Sequence, residues 1–305
     1  MYFLRQMKRI LRPSEYFILI VMVYIIISGC ATRVKEMKGF GGGVLPGGNI
    51  LSCETYSFRE LFKKGELDIM DLPAKMKELG IKGISIERGH LKNIEESYLE
   101  QVKAAPKNQD RLIVGLMTGA DFCTANEMKR LQAIWAIKRQ VRAANYLGTN
   151  ILRIALANPP QGDSEEVCIE RVITALKELI PLAKELNVKI AVENHGGITN
   201  SADNILKIIK GTDPEWVGAC LDFKNWPRGK IIEESKKLAP YAYHTHAKAH
   251  QFNWDGEEVG VDYKTILGFL KEANYKGALS IEWEGKGDPF EGVKKTRDLI
   301  LKYWR

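Results

Sequence analysis

The sequence predicts an α/β protein folded as a single (β/α)8 TIM barrel, and three observations carry that expectation. From residue 50 onward, eight short apolar runs alternate with longer amphipathic segments. The span they fill matches the ~250 residues typical of an eightfold barrel. No glycine-rich phosphate fingerprint follows the first run, which argues against a doubly wound open sheet.

The chain has 305 residues, and its opening does not belong to the barrel. Arg5, Lys8, Arg9 and Arg12 form a basic leader, and an apolar run follows from Phe17 to Gly29. A spanning helix needs ~20 apolar residues, so this shorter run suits a signal-peptide hydrophobic region. It ends in ISGC, residues 27–30, which resembles the lipobox of bacterial lipoproteins with Cys30 as the lipidated residue. Residues 1–30 are therefore expected to be a lipoprotein signal peptide, and the glycine-rich stretch 31–49 a flexible tether. The barrel is expected over residues 50–305, anchored to a membrane and held outside the cytoplasm.

Within the barrel the strand runs are, in order, ILSCETY, KGISIER, RLIVGLM, NILRIALA, VKIAVEN, VGACLDF, YAYHTHAK and GALSIEW. The segments between them carry helix-end signals. Thr124 and Glu127 make a capping-box pattern, Ser201 stands where it can cap DNILKIIKG, and Asp288-Pro289 opens the last helix with proline where a missing N–H does no harm.

Charge excludes one class of partner. The formal net charge is +7, but residues 1–30 hold four positive charges and one negative, leaving +4 for the rest. That is no nucleic-acid footprint, and lysine-rich stretches such as VKKTRDLILKYWR read as solvated faces. Beyond Cys30, Cys53, Cys123, Cys168 and Cys220 show no metal-binding spacing; Cys53 and Cys220 sit in apolar runs and read as buried free thiols.

Four strand runs end alike. In VKIAVE, VGACLD, YAYHTH and GALSIE the sixth residue is Glu193, Asp222, His246 or Glu282. Strand ends in a parallel barrel share the carboxyl-end mouth, where catalytic residues collect. Two glutamates, an aspartate and a histidine suit one divalent cation of the Mn, Zn, Mg or Co kind, with coordination positions left for substrate. Candidates for substrate contact are His195 just past a strand end, Lys248 continuing the face of His244 and His246 toward the mouth, Asn225, Trp254 and Glu87. Arg153, inside an apolar run, needs an acid partner, with Glu87 or another mouth carboxylate first in line. His244 reads as an inner-layer structural residue.

AVENHGG, CLDFKNWP, the THAK of HTHAKAH, and SIEWEG followed by DP resemble, in order and spacing, the sugar phosphate isomerase/epimerase family of xylose-isomerase-like barrels. The resemblance runs from about Leu51 to the C-terminus. It implies that Glu193, Asp222, His246 and Glu282 hold one metal and that Glu193 and Glu282 move protons. One departure is Asn225, where many relatives carry a histidine.

The expected activity is that of an isomerase: metal-dependent isomerisation or epimerisation of a free sugar, keto-sugar or cyclitol through an enediolate. Two alternatives stay open, a keto-glycoside lyase or hydrolase on the same scaffold and a non-catalytic carbohydrate-binding lipoprotein. The small-molecule partner is a sugar, and homo-oligomerisation is left open.

Overall fold

The computed structural model describes residues 43–305. The leader, Cys30 and the tether up to residue 42 lie outside the described residues. Eight parallel strands close into a barrel in chain order: β1 (Leu51–Glu54), β2 (Gly83–Glu87), β3 (Leu112–Ala120), β4 (Ile151–Leu156), β5 (Lys189–Glu193), β6 (Val217–Asp222), β7 (Ala242–Ala249) and β8 (Leu279–Trp283). All eight coincide with the apolar runs read from the sequence.

The two-residue period of a strand divides each run between two environments. Leu51, Cys53, Ile84, Ile86, Ile190, Val192, Leu279 and Ile281 join the buried shell between sheet and helices. Their alternates point into the barrel. There Ser52, Ser85 and Ser280 link hydroxyl to hydroxyl, and Ile151, Ala191 and Cys220 form a small apolar plug. Continuing the same alternation brings Glu54, Arg153, Glu193, Asp222, His246 and Glu282 toward the barrel axis near the carboxyl end.

Two helix starts differ from the sequence reading. The helix Glu127–Leu147 is capped by Asn126, whose side chain accepts from Lys129 N, while Thr124 is spent on Asn126 N in the loop before it. The helix Ala202–Gly211 follows Ser201, but that hydroxyl makes no cap; Glu234, from the helix Ile231–Leu238, accepts from Ala202 N at 2.6 Å. Asp288 caps Pro289–Tyr303 as its sequence position suggests.

Residues 43–49, placed by the sequence in the tether, pack against the barrel floor. Leu45 is buried, Val44 bridges Ile50, Asn49 donates to Tyr275 O and Gly277 O, and Trp304 donates to Pro46 O. Gly43 has φ +81° and a Cβ there would stand 2.5 Å from Lys82 N, so only glycine fits.

Candidate metal centre

Glu193 ends β5, Asp222 ends β6, His246 lies in β7 and Glu282 is the penultimate residue of β8. The sequence aligned these four at one level, and the sheet staggers them. Asp222 pairs with His246, but Glu193 pairs with Cys220, and Glu282 pairs with Lys248 while His246 pairs with Ser280. Closing a barrel requires such a stagger. Side chains make up the difference: one ligand atom from each of the four residues lies within 4.8 Å of all the others, and all four residues are buried.

The donor set fits a cation. His246 Nδ1 is 2.6 Å from Glu193 Oε1 and 3.5 Å from Glu282 Oε2. Glu193 Oε2, Asp222 Oδ2 and Glu282 Oε2 are buried and have no hydrogen-bond donor. Leaving such oxygens unpaired costs ~1–3 kcal/mol each, more when charged, unless a positive centre compensates. The other oxygen of Asp222 is satisfied by backbone donors. Asp222 Oδ1 accepts from Lys224 N and Asn225 N, and the Asn194 side chain bridges β5 to β6 by accepting from Asp222 N and donating to Asp222 O.

Two cations of the chain itself border the cluster. Arg153 lies 3.5 Å from Glu193 Oε2 and 3.7 Å from Glu87 Oε2, and donates to Thr118 O. Both of its expected kinds of partner are thus present. Lys248 Nζ stands 3.0 Å from Asp222 Oδ2, 3.1 Å from Glu282 Oε2 and 2.7 Å from Glu284 Oε1. The first two contacts are ion pairs without hydrogen-bond alignment, so those oxygens stay open to a better ligand. Asn225 Oδ1 accepts from the same ammonium at 3.0 Å.

These surroundings separate the two glutamates. Burial raises the Glu193 carboxyl, but Arg153 and His246 outweigh it and hold the group below the usual carboxylate range. Burial pushes Glu282 up to about 8 against the pull of His246 and Lys248. For His246 burial works downward, and Cys220, Glu282, Glu54 and Glu193 outweigh it and raise the imidazole well above its ordinary value.

Other sequence candidates divide. Glu87 sits at the mouth with Arg153. His195 is exposed one residue past Asn194 on the loop leaving β5. Trp254 is fully exposed in the turn after β7 and packs on nothing described, so the structure does not bring it to the cluster. Trp226 is buried with its N–H on Ser235 Oγ, and Trp283 stacks on Phe252.

The sequence reading missed three residues. Glu284 holds Lys248. His90 stacks on Phe62 and bonds Thr55 Oγ1, and burial lowers its imidazole to about 4. Glu54 ends β1 with its carboxylate 3.3 Å from His246 Nε2. Its signal was present: ILSCE closes on a carboxylate just as VKIAVE and GALSIE do.

Comparison with known proteins places the fold. A family model described as xylose isomerase-like TIM barrel matches residues 73–303. Over 77 residues, 23% of this chain and 22% of the relative, the sequence is 33% identical to the C-glycoside deglycosidase alpha subunit of Arthrobacter globiformis. The barrel is similar to 3-keto-D-glucoside 4-epimerase from E. coli, with a TM-score of 0.65 and 17% identity over 77% of this chain and 94% of that one. It is also similar to the IOLI protein solved with a zinc atom, with a TM-score of 0.67 and 19% identity over 83% of this chain and 99% of the other. At these identities the structural likenesses speak for the fold alone.

Proposed function

The chain belongs to the xylose isomerase-like TIM barrel family, and on that premise we propose that it is a divalent-metal-dependent sugar isomerase or epimerase acting through an enediolate. The observation that carries this reading is the convergence of Glu193 and Glu282 with Asp222 and His246 in one buried cluster at the barrel mouth. Glu193, Asp222, His246 and Glu282 would hold the ion. Bound there, a dication supplies Lewis-acid stabilisation of the negative charge that develops when a proton leaves the carbon beside a carbonyl.

The chain's own residues handle the proton. Glu193 and Glu282 arrive from β5 and β8, so they can address opposite faces of one substrate carbon: one takes the proton and the other returns it. Their surroundings are unequal, with Arg153 at Glu193 and Lys248 at Glu282, and that inequality suits a donor and an acceptor. Lys248 and Asn225, joined at the same spot, are placed to hold substrate oxygens. A lipid anchor at the lipobox-like ISGC would hold the barrel outside the cytoplasm, where a free sugar, keto-sugar or cyclitol suits the site better than a sugar phosphate. Loss of fatty-acid labelling on Cys30→Ala would support that anchor, and labelling that survives would remove it.

A second reading is elimination or hydrolysis of a keto-glycoside. It is favoured by the stretch shared with a deglycosidase subunit. It needs the same proton abstraction, after which the bond to the aglycone breaks instead of the proton returning.

One experiment serves both readings. A keto-sugar panel incubated with metal in heavy water should gain deuterium beside the carbonyl, with either an epimer or a released aglycone as product. Glu193→Gln and Glu282→Gln should each slow turnover more than they weaken sugar binding. Sugars that bind but neither exchange nor react would leave a carbohydrate-binding protein instead.

A further inference from the structure

Glu54 is completely buried, yet neither of its carboxylate oxygens has a hydrogen bond. A buried carboxylate needs a positive or N–H partner to offset its lost hydration. The nearest basic atoms are the Nε2 atoms of His246 at 3.3 Å and His244 at 3.5 Å. The two imidazoles lie edge to face, with centroids 5.6 Å apart and planes at 90°. Behind them His244 Nε2 meets Ser85 Oγ at 3.2 Å, and Ser85 continues to Ser280. Glu54 therefore stands between the candidate ligand His246 and the polar chain that runs through His244 to Ser85 and Ser280.

The two nitrogens of His246 face different neighbours. Nδ1 looks toward Glu193 and Glu282, while Nε2, which has no hydrogen-bond partner, looks toward Glu54. A neutral imidazole offers one lone pair and carries one N–H. If the lone pair is to serve the side of Glu193 and Glu282, the proton must sit on Nε2, where the Glu54 carboxylate is the acceptor within reach. Histidine ligands to metals are commonly oriented by such a carboxylate on the far nitrogen.

We propose that Glu54 is the positioning residue of the candidate metal ligand His246, accepting the Nε2 proton and thereby fixing the tautomer that presents Nδ1 to the cation. The inference rests on the metal-cluster reading above. A second ion held by Glu54, His244 and His246 is the competing use of the same atoms, and it would require both nitrogens of His246 as ligands.

The test uses the full-length chain with Zn2+ alone as probe, its affinity read by competition with a chromophoric chelator. Wild type should bind one ion. Glu54→Ala should weaken binding about 10–100-fold, the usual cost of losing such a partner. Glu54→Gln, whose amide oxygen still accepts the Nε2 proton, should weaken it less and carries the test if the alanine variant does not fold. In parallel, 15N shifts of the metal-loaded protein should show His246 protonated at Nε2 in wild type and losing that single tautomer in the alanine variant. A purely structural role would lower the melting temperature and leave Zn2+ affinity and tautomer unchanged in the folded variants, which would overturn the proposal. Two ions in wild type, one of them lost on substitution, would also overturn it in favour of a second site. Wild type that binds no Zn2+ would instead remove the metal-cluster reading itself, and this inference with it.

Discussion

Lys248 Nζ lies 3.0 Å from Asp222 Oδ2, so an ammonium stands beside the carboxylates that would bind a metal. Burial works against that charge, but Asp222 and Glu282 raise the Lys248 pKa far enough to keep it. Two unit charges ~4 Å apart interact by about 4 kcal/mol at an effective dielectric of 20. Repulsion of the incoming ion should therefore be substantial, and Lys248→Met should bind Zn2+ or Mn2+ about tenfold or more tightly than wild type. Turnover should fall in the same variant, because the group proposed to hold a substrate oxygen is gone. Chelator competition reads the first effect and sugar turnover the second; weakened metal binding would mean that Lys248 organises the cluster instead of opposing the ion.

Protonation gives a second prediction. Burial raises Glu282 from 4.5 to about 8, and His246 is raised as well, so at neutral pH both hold protons that a metal must displace. Metal affinity should climb from pH 6 through about 8 as Glu282 gives up its proton. Calorimetry at pH 7 in buffers of different ionisation enthalpy should reveal proton release. For stability the sign follows from the direction of the Glu282 shift. A group raised in the folded state contributes fully below its unfolded value and loses that contribution as pH rises through about 8. Metal-free protein should therefore lose stability between pH 5 and 8, and the gain in Tm on adding metal should be larger at pH 8.5 than at pH 6. An affinity independent of pH would contradict the proton count.

Arg153 is the buried cation shared by Glu87 and Glu193. Removing it leaves two acids without their partner, and breaking a buried pair from one side typically costs ~3–5 kcal/mol. Arg153→Met should lose about that much in denaturant unfolding. Arg153→Met combined with Glu87→Gln should recover part of the loss, because one of the stranded charges is neutralised. A double variant no more stable than the single one would show that the cost lies in packing.

The sequence disclosed whatever depends on periodicity and missed what depends on contact between distant segments. The eight strands and the strand-end positions of Glu193, Asp222 and Glu282 follow from a two-residue alternation that ends at the mouth. Glu54 follows from the same rule applied to the first strand, and it stands out only once the barrel closes β1 beside β8 and brings it within 3.3 Å of His246 Nε2. Lys248 reads as a loop-edge lysine until the stagger pairs it with Glu282. Trp254 reads as a substrate contact because it lies near the site in sequence, yet its turn carries it into solvent.

Helix capping shows the same division in measurable form. Ser201 has the residue type and position of an N-cap, but the N–H of Ala202 is taken by Glu234, 32 residues further along the chain. Glu234 is buried and also meets Lys237. Losing a working cap costs ~0.5–2 kcal/mol, whereas a surface hydroxyl that makes no cap is worth a few tenths. Glu234→Ala should therefore destabilise the protein by about 1–2 kcal/mol and Ser201→Ala by much less, as read by denaturant unfolding. The helix Ala202–Gly211 follows the loop that leaves Glu193, so Glu234→Ala should also raise amide exchange over residues 195–205. Equal losses in the two variants, or the larger loss in Ser201→Ala, would return the cap to the residue the local sequence suggests.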